Sequence, residues 1–226
     1  ALPISKKDTW KLRLTHTLTY NKTFNKVHNL NAMIGQEYVA TNNESLSVIA
    51  KYFQKDIAPE KMFASLASNS GATGSRTINS SLGQEDRTLS FFGRLNYTFK
   101  DRYLLTATLR ADGSSNFASG ERWGFFPSVA AGWRFTEEEF LAPLRNVLSN
   151  GKLRLSYGET GNSNVGDKAY SYYKVGNNNI FGNSMINGVY LSQLGNNVLT
   201  WETAREWNVG LDLGFLDGRV NVTAEY

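Results

Sequence analysis

The sequence predicts an all-β protein, an antiparallel transmembrane β-barrel segment of about eight long strands. Three observations predict it. Apolar and polar residues alternate strictly over stretches of about ten residues, the roughly 9–11 that a membrane-spanning strand needs, where soluble strands centre on about five or six. Connections alternate between short and long, as in barrels with short periplasmic turns and long extracellular loops. Aromatic residues gather toward strand ends, as two interfacial girdles would. A sheet core of large residues would cluster them too, and strand length favours the girdle.

The first strand runs from Trp10, with Leu12, Leu14, His16, Leu18 and Tyr20 on one face and Lys11, Arg13, Thr15, Thr17 and Thr19 on the other. A helix would scatter these residues around its circumference. His16 is discordant on the apolar face. The second strand, near 28–40, is less clean, because Gln36 shares the face of Leu30, Ala32 and Ile34. Next, Leu89, Phe91, Gly93, Leu95, Tyr97 and Phe99 oppose Ser90, Phe92, Arg94, Asn96 and Thr98. Tyr103, Leu105, Ala107, Leu109 and Ala111 oppose Thr106, Thr108, Arg110 and Asp112. Trp123, Phe125, Pro127, Val129, Ala131, Trp133 and Phe135 oppose Gly124, Ser128, Ala130, Gly132 and Arg134. Leu153, Leu155 and Tyr157 flank Arg154 and Ser156. Trp207, Val209, Leu211, Leu213 and Phe215 oppose Glu206, Asn208, Gly210, Asp212 and Gly214. The last strand sets Val220, Val222, Ala224 and Tyr226 against Arg219, Asn221, Thr223 and Glu225.

Short connections fall at 21–26, 100–102 and 216–218, and extracellular loops are expected at about 42–85, 113–122 and 161–200. The connection 136–150 breaks the rule, being long on the short side. There Thr136-Glu137-Glu138-Glu139 reads as a capping box opening a short helix.

Composition narrows the function. Of 226 residues, 41% are apolar and 19% charged, so the chain is not compositionally disordered. The absence of Cys excludes a disulfide scaffold and a thiol nucleophile, and two His leave little for a metal site. A net charge of +4, spread along the chain, lacks the clustering of a nucleic-acid footprint. The start, Ala1-Leu2-Pro3-Ile4-Ser5, has neither region of a signal peptide, and the final strand looks unfinished, so residues 1–226 are expected to be an internal piece of a larger protein.

Motifs for bond-making are wanting, and no catalytic residue, metal ligand or cofactor is assigned. The stretch Gly158-Glu159-Thr160-Gly161 to Gly166-Asp167-Lys168 is glycine-rich, yet a phosphate loop needs Lys directly after its last Gly, and here Asp167 intervenes. Neither His stands at a motif spacing to Ser and Asp, and no nucleophile elbow is present. The charged residues on the polar strand faces, Arg94, Arg110, Asp112, Arg154, Asp212 and Glu225 among them, suit pairing, lumen lining or contact with a plug.

Long segments resemble the SusC/RagA family of TonB-linked outer-membrane proteins. The segments are Phe92-Gly93-Arg94-Leu95-Asn96-Tyr97 onward to Asn116-Phe117, Arg122-Trp123-Gly124-Phe125-Phe126-Pro127 to Phe135, Leu153-Arg154-Leu155-Ser156-Tyr157-Gly158-Glu159-Thr160-Gly161-Asn162, and Leu199-Thr200-Trp201-Glu202-Thr203 leading into Glu206-Trp207-Asn208-Val209-Gly210. The resemblance covers roughly Leu89 to Tyr226 and is looser before it.

That resemblance implies a 22-stranded barrel with an N-terminal plug, importing glycan oligomers or peptides across the outer membrane of Bacteroidota-like Gram-negative bacteria. It implies TonB-ExbB-ExbD coupling through a plug that this stretch does not contain, and a SusD-like surface lipoprotein over the mouth. The lipid bilayer is a further partner, and nucleic acid is not. Loop aromatics Tyr170, Tyr172, Tyr173, Phe181 and Tyr190 would stack on substrate, or else pack their loop against itself. Arg110, Asp112, Gly113, Ser114, Ser115 and Asn116 match a strand-to-loop signature with a structural role: Gly113 for a tight turn, Asp112 and the serines for loop amides.

Three other readings stand beside this one. They are a TonB-dependent siderophore or vitamin receptor, a small structural OmpA-like barrel, and a soluble carbohydrate-binding β-sandwich. An eight-stranded barrel would close on itself, though Gly124, Gly132, Gly210 and Gly214 would fill it poorly. A sandwich would cover the apolar face with a second sheet.

Overall fold

The computed structural model describes residues 2–53, 58–64, 75–83, 85–182 and 184–226, with the side chains of 167, 177–179, 181, 184 and 185 left undescribed. Among the described residues there are eleven strands: β1 (Leu2–Phe24), β2 (His28–Ala50), β3 (Arg76–Leu82), β4 (Asp86–Phe99), β5 (Tyr103–Ser114), β6 (Trp123–Trp133), β7 (Leu148–Asn162), β8 (Tyr172–Phe181), β9 (Ser184–Gln193), β10 (Glu202–Phe215) and β11 (Val220–Glu225). They order as β1-β2-β4-β5-β6-β7-β10-β11, with β3 beside β2 and β8-β9 as a separate pair. The eight on the main path are the eight that alternation predicts. Among the described residues β1 and β11 stand at opposite ends of that path, so no small closed barrel forms.

By packing, the chain divides into one unit of Ala1–Arg13 with Val39–Arg87 and another of Leu14–Tyr38 with Thr88–Tyr226. In the first, β2 and β3 pair antiparallel from Glu44↔Leu82 to Ala50↔Arg76, within the stretch expected to be an extracellular loop. A short helix, α1 (Pro59–Ala64), lies between them in sequence.

In the second unit the register runs unbroken from Thr88↔Ser114 to Phe99↔Tyr103, and from Tyr103↔Trp133 to Gly113↔Trp123. Register is tightly specified here, because a slip of one residue would turn every apolar side chain to the polar face. The apolar face is left open: Phe125 is 65% exposed and Trp207 77%. Among the described residues no second sheet covers it, which sets aside the sandwich. Among the described residues, buried apolar ones are few (Phe117, Phe126 and three alanines), as expected of a wall rather than a globule.

Three of the short turns share a device. Consecutive residues take left-handed backbone at Asn25 and Lys26, Lys100 and Asp101, and Leu216 and Asp217, with φ between 49° and 59°. Two such residues make the type I′ geometry whose twist matches the flanking strands. Asn and Asp tolerate it, whereas Lys and Leu carry a cost of about 1–2 kcal/mol. Lys26→Gly would create the preferred Asn-Gly pair. The expected gain is about 0.5–1 kcal/mol after the added freedom of the unfolded chain, read from the urea midpoint of the full-length protein. An unchanged or lowered midpoint would contradict the assignment.

The capping box at Thr136 is corrected by the structure. Residues Phe135–Glu137 and Glu139–Leu144 form 3-10 turns, and no side chain caps them. Thr136 is buried, and its Oγ1 accepts the Gly151 N–H at 3.1 Å, because the adjacent β7 offers an unpaired amide. The segment is held instead by Glu138, which accepts from the Tyr103 hydroxyl (2.6 Å), the Trp133 indole (3.2 Å) and Arg102 (3.1 Å). These bonds, the Tyr103 hydroxyl's first and then Trp133's, hold the Glu138 carboxyl below the usual carboxylate range. A lowered folded-state value stabilises above the ordinary value of about 4.3 and is lost as pH falls through the lowered one. Amide exchange of 134–147 is therefore expected to accelerate below about pH 4. Glu138→Gln should flatten that dependence; a wild-type rate independent of pH after correction for intrinsic exchange would refute the clamp.

Candidate functional site

The polar face of the strands is organised by arginines. Arg110 on β5 donates through Nε to Asp112 at 2.8 Å and through Nη2 to Ser90 on β4 at 2.9 Å. Its guanidinium lies 5.6 Å over the Phe92 ring and 3.7 Å from Glu37 of β2. Further along, Arg154 on β7 bonds Asp212 of β10 at 2.8 Å and Glu225 of β11 at 2.7 Å, while Thr223 donates to Asp212. Gly210 makes that approach possible: a Cβ there would stand 2.8 Å from Arg154 Nη2. Gly210, one of the glycines that would fill a small barrel poorly, is thus space for a large side chain lying across the sheet.

At the loop end of β5–β7 and β10 the polar face carries an aromatic lock. Phe117 is fully buried, its ring centroid 5.4 Å from Trp201, and Trp201 stands edge-on to Phe126 at 5.3 Å. The Trp201 indole donates to the Arg122 carbonyl at 2.8 Å. Phe126 lies over Gly124 and Gly161, where any Cβ would strike its ring. The Phe117 carbonyl accepts from Arg122 at 3.2 Å and from the Tyr170 hydroxyl at 3.4 Å. Asn116 donates to the Ser163 carbonyl at 3.2 Å. Two loops separated by β6 and β7 are thereby joined.

The signature residues fall into this frame. Ser114 is buried, and its Oγ accepts the Asn116 amide at 3.2 Å, the local bond expected of it. Asp112 takes the Arg110 guanidinium rather than a loop amide, because their side chains share one face two residues apart. Gly113 makes no tight turn. It is the penultimate residue of β5, paired with Trp123, and a Cβ there would meet that indole at 3.0 Å. Ser115 also has a partner in the fold.

The loop aromatics do not form one platform. Tyr170 is half-buried against the lock. Tyr172 and Tyr173 open β8 and are exposed; the Tyr172 carbonyl accepts from Ser192. Tyr190 on β9 pairs with Lys174, and Tyr173 pairs with Leu191, so Tyr173 and Tyr190 lie on opposite faces of the hairpin. Phe181 belongs to β8, but its side chain lies outside the described residues. Phe126 and Trp201 were not singled out by the sequence reading. The signal that could have found Phe126 is a large aromatic on a polar strand face with glycine two positions away.

Among the described residues no group of three or more His, Asp or Glu is placed to hold a metal ion.

Long strands apolar on one face, a charge-paired opposite face and loops anchored over one end define the wall of a membrane β-barrel. Residues 4–226 match the TonB dependent receptor-like β-barrel family, and the chain belongs to it. Within that family it is of the SusC/RagA type. It is 48% identical over 137 residues to TonB-dependent receptor SusC of Bacteroides thetaiotaomicron, covering 58% of this chain and 14% of that protein. It is 36% identical over 215 residues to TonB-dependent receptor P3 of Formosa agariphila, covering 92% of this chain and 20% of that protein. Among solved structures, the RagAB peptide transporter superposes with a TM-score of 0.85 at 27% identity, covering 99% of this chain and 24% of that chain. The chain therefore spans between about a seventh and a quarter of the length of these relatives.

Proposed function

We propose that this chain is part of the barrel of a TonB-dependent outer-membrane importer that takes up oligomeric substrates, glycan or peptide, together with a SusD-like lipoprotein. In this reading the barrel meets lipid with its apolar face, and residues 1–226 are part of that one barrel domain. Loops within 42–85, 113–122 and 161–200 face outward, and the TonB-ExbB-ExbD motor acts through a plug encoded elsewhere in the full-length protein. The chain's own part is to bind and gate. The observation that carries the reading is the aromatic lock, Phe117 with Phe126 and Trp201, which with the bonds to Ser163 and Tyr170 fixes the two ends of the 163–201 loop over the polar face. Tyr170 to Tyr190 on that loop would offer apolar ring faces to sugars or peptide side chains.

The test is uptake by the full-length receptor in its host. Labelled oligosaccharides and labelled peptides are supplied to cells with the receptor intact, deleted, or carrying Trp201→Ala. Uptake of one class that needs both the receptor and TonB, and that falls in the variant, supports the reading. Uptake of a siderophore or vitamin alone would replace it.

A further inference from the structure

The apolar face contains a feature that plain lipid contact does not require. A groove of about 630 Å³ opens between β1, β2, β4 and β5, within the ~300–1,000 Å³ typical of small-molecule sites. Its floor includes Gly93 and Ala111, its walls Leu18, Ile34 and Leu109, and one end holds His16 and Gln36. Leu18 and Ile34 are 69% and 62% exposed. Hydrogen bonds Thr15 to Glu37 and Thr23 to Asn29 fix the β1–β2 register, and the same register sets His16 opposite Gln36. The pair lies between the Trp10 and Tyr20 ends of the alternating stretch, in the apolar band. Neither side chain has a hydrogen-bonding partner among the described residues.

We infer that this groove binds one acyl chain of a membrane lipid that carries a hydroxyl group along its length. The argument is from complementarity. Two adjacent polar groups in an apolar band are costly unless bonded. A hydroxyl donates and accepts, so it satisfies an imidazole and an amide in any tautomer or orientation. The groove is continuous with the face that the proposed reading gives to lipid, and the inference rests on that reading. Gly93 keeps the floor open, since a Cβ there would find only ordinary contacts, at 3.8 Å and beyond.

The experiment reconstitutes the full-length receptor in phosphatidylethanolamine vesicles doped with a photoreactive lipid, its labelled acyl chain either hydroxylated or plain, and maps the crosslinks. The hydroxylated lipid is expected to label residues 16–18, 34–36 and 91–93 several-fold more than the plain one. His16→Leu with Gln36→Leu should erase that preference and leave the plain lipid unaffected. Gly93→Leu, which fills the floor, should remove both. Equal labelling by the two lipids in the wild type would overturn the inference. So would labelling that ignores both variants, or protein–protein crosslinks at 91–93 showing a neighbouring chain seated there. Acyl labelling elsewhere on the apolar face but not in the groove defeats only this inference, whereas none anywhere on that face defeats the membrane reading itself.

Discussion

Phe117→Ala is expected to release the loops at that end of the sheet, within 114–122 and 163–201, while leaving the strands paired. The ring is fully buried against Trp201, and its backbone carbonyl gathers Arg122 and Tyr170. Truncating a buried Phe costs about 3–5 kcal/mol through lost transfer energy and the cavity left behind. That cost falls on the loops, because β5, β6 and β7 keep their own ladders from Tyr103↔Trp133 and Ser128↔Gly158 onward. Limited proteolysis of the full-length receptor should therefore cut within 114–122 or 163–201 far faster, with little change in the temperature at which the folded band shifts on a gel. Trp201→Phe keeps a ring in place and loses the 2.8 Å bond to Arg122, so about 1 kcal/mol is expected. Unaltered protease resistance in Phe117→Ala would show that the loops are held by something else.

How much of this was readable in the sequence follows from which force sets each feature. The strands were readable because burial on one face imposes period two, and the eight alternating stretches are the eight of the main path. Their ends were not: β1 continues to Leu2 and β2 to Ala50, since beyond the apolar band the ladder is held by backbone bonds that need no particular side chain. The pairing of Arg110 with Asp112 and Arg154 with Asp212 was foreseeable in kind, opposite charges sharing a polar face. Their partners Ser90 and Glu225 depend on register, which no single strand reveals. Thr136 misled because a capping-box spelling is local, and the amide it met belongs to Gly151, fifteen residues on. Gly113 misled in the same way, and Gly161 serves the same purpose unread. Glycine reads as flexibility in sequence, while here it leaves room for Trp123 and Phe126 rings contributed by a neighbouring strand.

A lysine placed at Val129 is the most direct probe of which face meets lipid. Val129 sits midway along β6 between Trp123 and Trp133, pairs with Ala107 and Tyr157, and is exposed on the apolar face. If that face lies in hydrocarbon, Val129→Lys should destabilise the full-length barrel by about 2–4 kcal/mol, the cost of a cation near the midplane. The same charge at Phe125, beside the Trp123 girdle, should cost about 0–1 kcal/mol for its polarity, because depth governs the penalty. Asn208→Lys supplies the control. Asn208 lies on the polar face of β10 opposite Ser156, where water is available, and a change within about 0.5 kcal/mol is expected. Urea unfolding in phosphatidylcholine vesicles, read by tryptophan fluorescence, gives the three values. The order Val129 above Phe125 above Asn208 follows only if hydrocarbon lies against the apolar face. Equal costs at Val129 and Asn208 would mean that water, or protein, lies there instead.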